Sequence, residues 1–166
     1  MKFKDTKYGD LTGQTYKGDI IVNGMNLTSL EGSPKNVTGY FSCSNNQTLS
    51  SLKGAPEIVG GSFWCSNNPK LTSLKGAPEN VKGSFWCHRS GLTSLEGISK
   101  NIDGSFNCTG NPKLTQSEID KLVRCNIKGK INVPKGLKAP TKEDYKLYKK
   151  LGDRKYWKLK NLKDSL

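Results

Sequence analysis

The chain has 166 residues, a formal net charge of +13, an apolar fraction of only 33% and 18 glycines. Such a composition suits a flat, turn-rich stack better than a rounded globule, and the charge draws nucleic acid, anionic membrane or acidic protein surfaces without bearing on the fold. No stretch approaches the roughly 18 apolar residues that crossing a bilayer takes, so a membrane span is excluded and a membrane partner is not expected.

In chain order, Met1-Lys2-Phe3-Lys4-Asp5 is polar and lacks the apolar run of a signal peptide, which makes the cytoplasm the expected setting. Residues 1–17 are expected to form an N-terminal cap. From residue 18 to residue 133 the chain is repetitive. Four copies of a unit about 22 residues long begin at Leu27, Leu49, Leu71 and Leu92, each reading L-T/S-S-L-x-G-x-P/S-x-x-V/I-x-G-x-F-x-C. A period in the range of about 20–50 residues means a solenoid whose copies bury their apolar faces by stacking on one another. Degenerate copies frame the four, Gly18-Asp19-Ile20-Ile21-Val22 before them and Gly129-Lys130-Ile131-Asn132-Val133 after.

Within a copy, Phe and Cys stand two apart and so share one side of a strand. Gly before the strand permits a sharp turn or an unusual φ. Asn46, Asn68 and Asn111, with Ser90 in the third copy, follow the strand, where an amide can satisfy backbone groups as the chain turns away. L-x-x-L then packs the return segment, and G-x-P opposes a helix there. Thr115-Gln116-Ser117-Glu118 has the form of a capping box, and Ile119, Leu122 and Val123 fall at helical spacing, so a helix is expected over 116–125. The fold class is therefore a solenoid of about six short parallel β-rungs, with one helix before the last rung and a helical C-terminal cap.

Cys43, Cys65, Cys87 and Cys108 occupy one equivalent position per copy, and Val22 and Val133 hold it in the end copies. Valine neither ligates nor bridges, so the position asks for a small apolar side chain, a role that free Cys fills. Zinc spacing of the C-x₂₋₄-C kind is absent, and Cys125 makes the count odd. No metal and no cofactor is expected, and the thiols fit a reducing compartment.

With Phe and Cys inward, the alternate column faces out: Ile21, Ser42, Trp64, Trp86, Asn107, Asn132. Tyr40 lies in the column beside it and His88 in the next. Tyr40, Trp64, Trp86, His88 and Arg89 thus form the candidate partner-binding patch, Trp and Tyr being residues that dominate interface energetics. Two readings stand beside this one. Cross-strand aromatic pairs stabilise sheets on their own, and the C-terminal segment can fold back over them.

From Pro134 the composition shifts, with 11 Lys/Arg against 4 Asp/Glu in residues 134–166. Thr141 and Asp144 can cap a helix; Tyr145, Tyr148 and Leu151 form one face, Gly152 interrupts, and Tyr156 and Leu159 continue the stripe. Lys142, Lys146, Lys149, Lys150, Arg154, Lys155, Trp157 and Lys158 form the candidate basic surface. Nucleic-acid contact by charge and stacking, docking on an acidic protein, and a plain solvated hairpin capping the last rung all remain open.

Written F-x-C-x-x-N-x-x-L-x-x-L, the unit resembles the strand-and-turn core of leucine-rich repeats, L-x-L-x-x-N-x-L-x-x-L, over residues 18–133. The departures are Ser90 for Asn, one residue usually inserted before Leu, and the absence of a helix in most rungs. That resemblance implies binding on the sheet face. The wording L-T-S-L-x-G-x-P and C-S-N-N is also similar to short repeats in small proteins of tailed bacteriophages, which implies an inhibitor of a host protein such as a protease, nuclease or other defence factor, acting in the host cytoplasm.

Catalytic patterns are missing from the sequence. His88 is the single histidine, carboxylates are scattered, and there is no G-x-x-x-x-G-K-[ST], H-E-x-x-H or nucleophile elbow. The expectation is a noncatalytic protein-binding module. The alternative is a nucleic-acid-binding protein using the basic tail, with a structural virion component as a distant third.

Overall fold

The computed structural model describes residues 1–165, which form a parallel β-solenoid closed at its C-terminal end by helices. Each rung contributes two strands of two residues. The return-side strands are β1 (Thr15–Tyr16), β3 (Asn36–Val37), β5 (Ile58–Val59), β7 (Asn80–Val81), β9 (Asn101–Ile102) and β11 (Asn126–Ile127). The strands carrying Phe are β4 (Phe41–Ser42), β6 (Phe63–Trp64), β8 (Phe85–Trp86) and β10 (Phe106–Asn107), flanked by β2 (Ile20–Ile21) and β12 (Ile131–Asn132). Two six-stranded parallel sheets result, one per set, with strands in chain order. The expected rungs are these Phe-bearing strands and their two Ile-bearing neighbours.

The return-side sheet goes beyond the sequence expectation. Its signal is the V/I of the repeat: Val37, Val59, Val81 and Ile102 stand in register and are buried. A single apolar residue followed shortly by Gly gives too short an alternation to be read as a strand without its neighbours. Pairing supplies what propensity does not, because each copy offers the next an identical row of backbone groups.

Between the sheets run stacked columns of side chains. Phe41, Phe63, Phe85 and Phe106 follow one another with ring centroids 5.8, 5.1 and 5.7 Å apart. Phe3, from an N-terminal 3₁₀ turn at Phe3–Asp5, extends the column with its ring 6.1 Å from Phe41. The four column cysteines are fully buried beside them, with Leu pairs such as Leu49 and Leu52 at the corner. All five cysteines are free. Burial pushes the thiols up, to about 12 at Cys108 and about 11 at Cys125, and neighbouring thiols of the column add to the rise at Cys65.

The asparagines act as expected. Asn68 Nδ2 donates to the carbonyls of Cys43 (3.2 Å) and Cys65 (2.8 Å), while its Oδ1 accepts from Asn46 N at 2.7 Å. Each amide therefore stitches its own turn to the neighbouring rung, and Ser90 does so with its hydroxyl, accepting from Asn68 N at 3.2 Å. The glycine before the strand is required for a reason other than φ: a Cβ at Gly83 would lie 2.7 Å from Ser62 N, so adjacent backbones leave no room.

The expected helix over 116–125 is shorter and tighter. It comprises α1 (Gln116–Asp120) followed by a 3₁₀ turn at Lys121–Arg124. Thr115 forms no side-chain cap, and the capping box is absent. Glu118 is engaged elsewhere, accepting from Leu95 N at 2.8 Å and Ser94 Oγ at 2.9 Å. In earlier rungs the corresponding leucine N–H goes to a backbone carbonyl, as Leu74 N does to Glu96 O at 3.0 Å. The helix moves that carbonyl away, and the Glu118 carboxylate replaces it.

The tail forms α2 (Lys142–Asp164), capped by Thr141 and Asp144 in a reciprocal box and broken at Gly152, where φ is 72° and ψ 170°. Its two halves lie against the turn after α1. Tyr145 Oη donates to Leu122 O at 3.1 Å, Arg124 Nε to Asp153 at 2.8 Å, and Lys160 pairs with Asp120 at 3.3 Å. Tyr156 is buried. Among the described residues, no helix is long and apolar enough to cross a membrane.

Candidate protein-contact site

On the outer face of the Phe-bearing sheet, β6 and β8 pair with Trp64 directly opposite Trp86. The parallel register that stacks Phe on Phe inside necessarily stacks the intervening residues outside. Trp64 and Trp86 have ring centroids 6.4 Å apart at an interplanar angle of 48°. Tyr40 stacks on the other side of Trp64 at 5.0 Å and 28°, and His88 meets Trp86 edge-on at 5.9 Å. Tyr40, Trp64, Trp86 and His88 are therefore brought together as one ladder, with Arg89 exposed at its rim.

The ladder is not uniform. Trp64 lies between two rings, and its indole N–H is buried without an acceptor. Trp86 is 41% exposed. The tail does not cover it, since α2 docks on residues 120–124 instead. Ser42, expected outward, is almost fully buried, and its hydroxyl donates to Asn23 Oδ1 at 2.6 Å. Asn23 also accepts from Ser44 N at 2.8 Å. Asn23 carries no signal in the sequence because it lies in the degenerate first copy.

His88 Nδ1 lies 2.9 Å from Ser66 Oγ, a distance at which a histidine could serve as base to a serine. Ser66 is buried at 4% exposure, and no carboxylate is hydrogen-bonded to His88 among the described residues, so the contact fixes the ring rather than presenting a nucleophile. Burial, and then the Arg89 guanidinium, hold the imidazole below its usual pKa, leaving it neutral at pH 7. A shallow cleft of about 250 Å³ runs beside the ladder, lined by Asn23, Ser44, Ser66, Trp64, Trp86 and His88 among others.

The two sheet faces differ in charge. Beside the return-side sheet run ion pairs from rung to rung: Lys35–Glu57 at 3.6 Å, Glu79–Lys100 at 2.7 Å, and Asp103 between Lys82 at 3.5 Å and Lys128 at 2.7 Å. Asn80 and Asn101 add an amide contact at 2.8 Å. The aromatic face carries Asp19 and Lys130 in its end rungs and, in the four central rungs, Arg89 alone.

Of the basic-tail candidates, Lys142, Lys146, Lys149, Lys150, Arg154, Lys155 and Lys158 are exposed. Lys146 pairs with Glu143 at 3.0 Å; the other six make no ion pair among the described residues. Trp157 is held in place, its Nε1 donating to Asp153 at 2.9 Å and its ring lying 5.2 Å under the Arg124 guanidinium. Tyr145 and Tyr156 are likewise engaged in packing, so these three rings are not free to stack on bases.

Among the described residues no group of three or more His, Cys, Asp or Glu side chains is placed to hold a metal ion. The chain matches no protein-family model, no curated protein and no solved structure.

Proposed function

We propose that this chain is a noncatalytic protein-binding module that holds a protein partner on its aromatic sheet face, with Trp86 as the anchor. The observation that carries the reading is an exposed tryptophan at the centre of a face nearly free of charge, in a protein whose opposite face is laced with ion pairs. Interface cores are depleted of charged residues and enriched in Trp, Tyr and Arg. Fold stability alone accounts poorly for the ladder. Ring pairing contributes about 0.5–1.5 kcal/mol per contact, while a buried N–H without an acceptor costs about 1–3 kcal/mol. Over the three ring contacts of the ladder the gain is about 1.5–4.5 kcal/mol, and the buried N–H removes a large part of it.

A narrower reading, in which the chain blocks a larger host protein such as a protease, nuclease or other defence factor, draws on the likeness of its repeat wording to small proteins of tailed bacteriophages. A stiff stack suits such a role because little conformational entropy is lost on docking. The test is capture of partners from a bacterial lysate by wild type beside the Trp64→Ala/Trp86→Ala double variant. The variant should fold normally and bind about tenfold or more weakly, and most of the loss should reside in Trp86→Ala alone. Normal binding by the double variant would refute the reading.

A second reading, nucleic-acid binding by the tail, has in its favour the six exposed and unpaired cations there. Binding through phosphates falls steeply as salt rises, whereas an aromatic protein contact responds far less. A salt titration of the captured complex separates the two.

A further inference from the structure

Arg89 is the residue of the contact face that the repeat does not ask for. After each Phe-bearing strand of the central rungs the chain passes through the left-handed region, at Asn45 (φ 61°), Asn67 (φ 56°), Arg89 (φ 50°) and Gly110 (φ 68°). Asn and Gly adopt that conformation readily, whereas arginine has no local advantage there and is held in it at a conformational cost. Its side chain is nevertheless accommodated. A Cβ at Gly110 would lie 2.8 Å from Arg89 Cγ, so the arginine stem rests over the bare backbone of the next corner. Only the backbone of Arg89 is engaged, its N–H donating to Thr109 O at 2.9 Å; the guanidinium makes no hydrogen bond or ion pair among the described residues. Arg89 directly follows His88, near enough for its charge to help hold the imidazole pKa down, and the His88 ring in turn meets Trp86. An unpaired fork of five donors therefore projects from the corner that follows the strand of the exposed tryptophan, as the sole formal charge in the four central rungs of that face.

We propose that Arg89, with the free edge of the His88 ring, receives a carboxylate from an acidic protein segment whose apolar neighbour lies on Trp86. This rests on the reading of the aromatic face as the protein-contact surface. A guanidinium matches a carboxylate in two parallel hydrogen bonds, and desolvation between Trp86 and the partner strengthens them. The +13 charge of the whole chain steers an acidic partner toward it. A nucleic-acid backbone fits less well, because successive phosphates need a row of cations and the four central rungs of this face offer one.

The test uses a random peptide library displayed on yeast and selected on the full-length protein. Enriched peptides should carry Asp or Glu next to an aromatic or aliphatic residue. A synthetic peptide of that sequence should bind wild type about tenfold or more tightly than Arg89→Asn, an exchange that restores the residue of Asn45 and Asn67 and so keeps the corner. Replacing the peptide carboxylate by its amide should abolish the difference. Enriched peptides without acidic residues, or equal binding by wild type and Arg89→Asn, would overturn the inference while leaving the contact face intact, provided that Trp86→Ala still weakens binding. Unchanged binding by Trp86→Ala, or no enrichment at all, would count against both. A labelled single-stranded oligonucleotide released by Arg89→Asn would reassign the guanidinium to phosphate and likewise overturn it.

Discussion

A cysteine two residues after a buried phenylalanine can be a ligand, a bridge or a filler, and burial distinguishes them. The four column thiols are fully enclosed, and their pKa values are pushed up because a thiolate there would lie in an apolar stack. Iodoacetamide should therefore leave them unmodified in the folded protein, and all five cysteines should label once the chain is unfolded in denaturant. Mass spectrometry reads the outcome, and labelling of Cys65 or Cys87 under native conditions would contradict the packing. Asn68 illustrates the converse use of a polar side chain: it is fully buried because every hydrogen-bonding group it brings in meets a backbone partner from the corner of its own or an adjacent rung.

At the scale of elements, α1 shows how one side chain can replace a missing backbone group. Glu118 is mostly buried, and burial alone would raise its pKa. The Lys121 contact, the Leu95 N–H and the Ser94 hydroxyl outweigh that and hold it below the usual carboxylate value. A carboxylate held low in the folded state contributes stability that is present above about pH 4.5 and lost as pH falls through the folded value. Glu118→Gln should cost about 1–3 kcal/mol at neutral pH and flatten the acid limb of the stability curve, as chemical denaturation between pH 7 and 3 would show. The α2 hairpin offers a second case. Tyr156 is its most buried side chain, pressed edge-on against Tyr148 at 5.4 Å and Trp157 at 5.0 Å. Tyr156→Ala should cost about 3–5 kcal/mol locally and expose the lysines of α2 to trypsin. Binding on the aromatic face should be unaffected, because the hairpin rests on residues 120–124.

For the whole molecule, the repeat produces two unlike surfaces from one core. Every rung places an outward residue at the same height on each sheet, so a change in one copy becomes a change in one row of a lattice. On the return side the rows are filled with complementary charges that solvate the face. On the other side Ser62, Ser84 and Ser105 are neutral, and their hydroxyls accept backbone N–H groups from the following rung at 3.0–3.1 Å. That leaves the aromatic ladder as the one large feature there. Partner binding by this face should therefore weaken only modestly between low and moderate salt, measured by calorimetry, whereas polyanion binding by the hairpin would fall by orders of magnitude.

The copies of the repeat, laid over one another, were enough to give the solenoid, its inward Phe and Cys columns, the bridging asparagines and the aromatic patch, because a strand's side chains alternate and stacked copies inherit one another's register. Those are properties of period and parity, which a linear string records. The return-side sheet, the reassignment of Glu118, the docking place of the hairpin and the rank of Trp86 above Trp64 are not of that kind. Each depends on which backbone groups and rings come within contact distance across rungs, and a two-residue strand or a lone carboxylate carries no periodicity from which to read it. Arg89 stands between the two cases. Its mismatch with Asn45, Asn67 and Gly110 is visible in the aligned copies, but only the folded corner shows an unpaired arginine whose stem lies over Gly110 on the aromatic face.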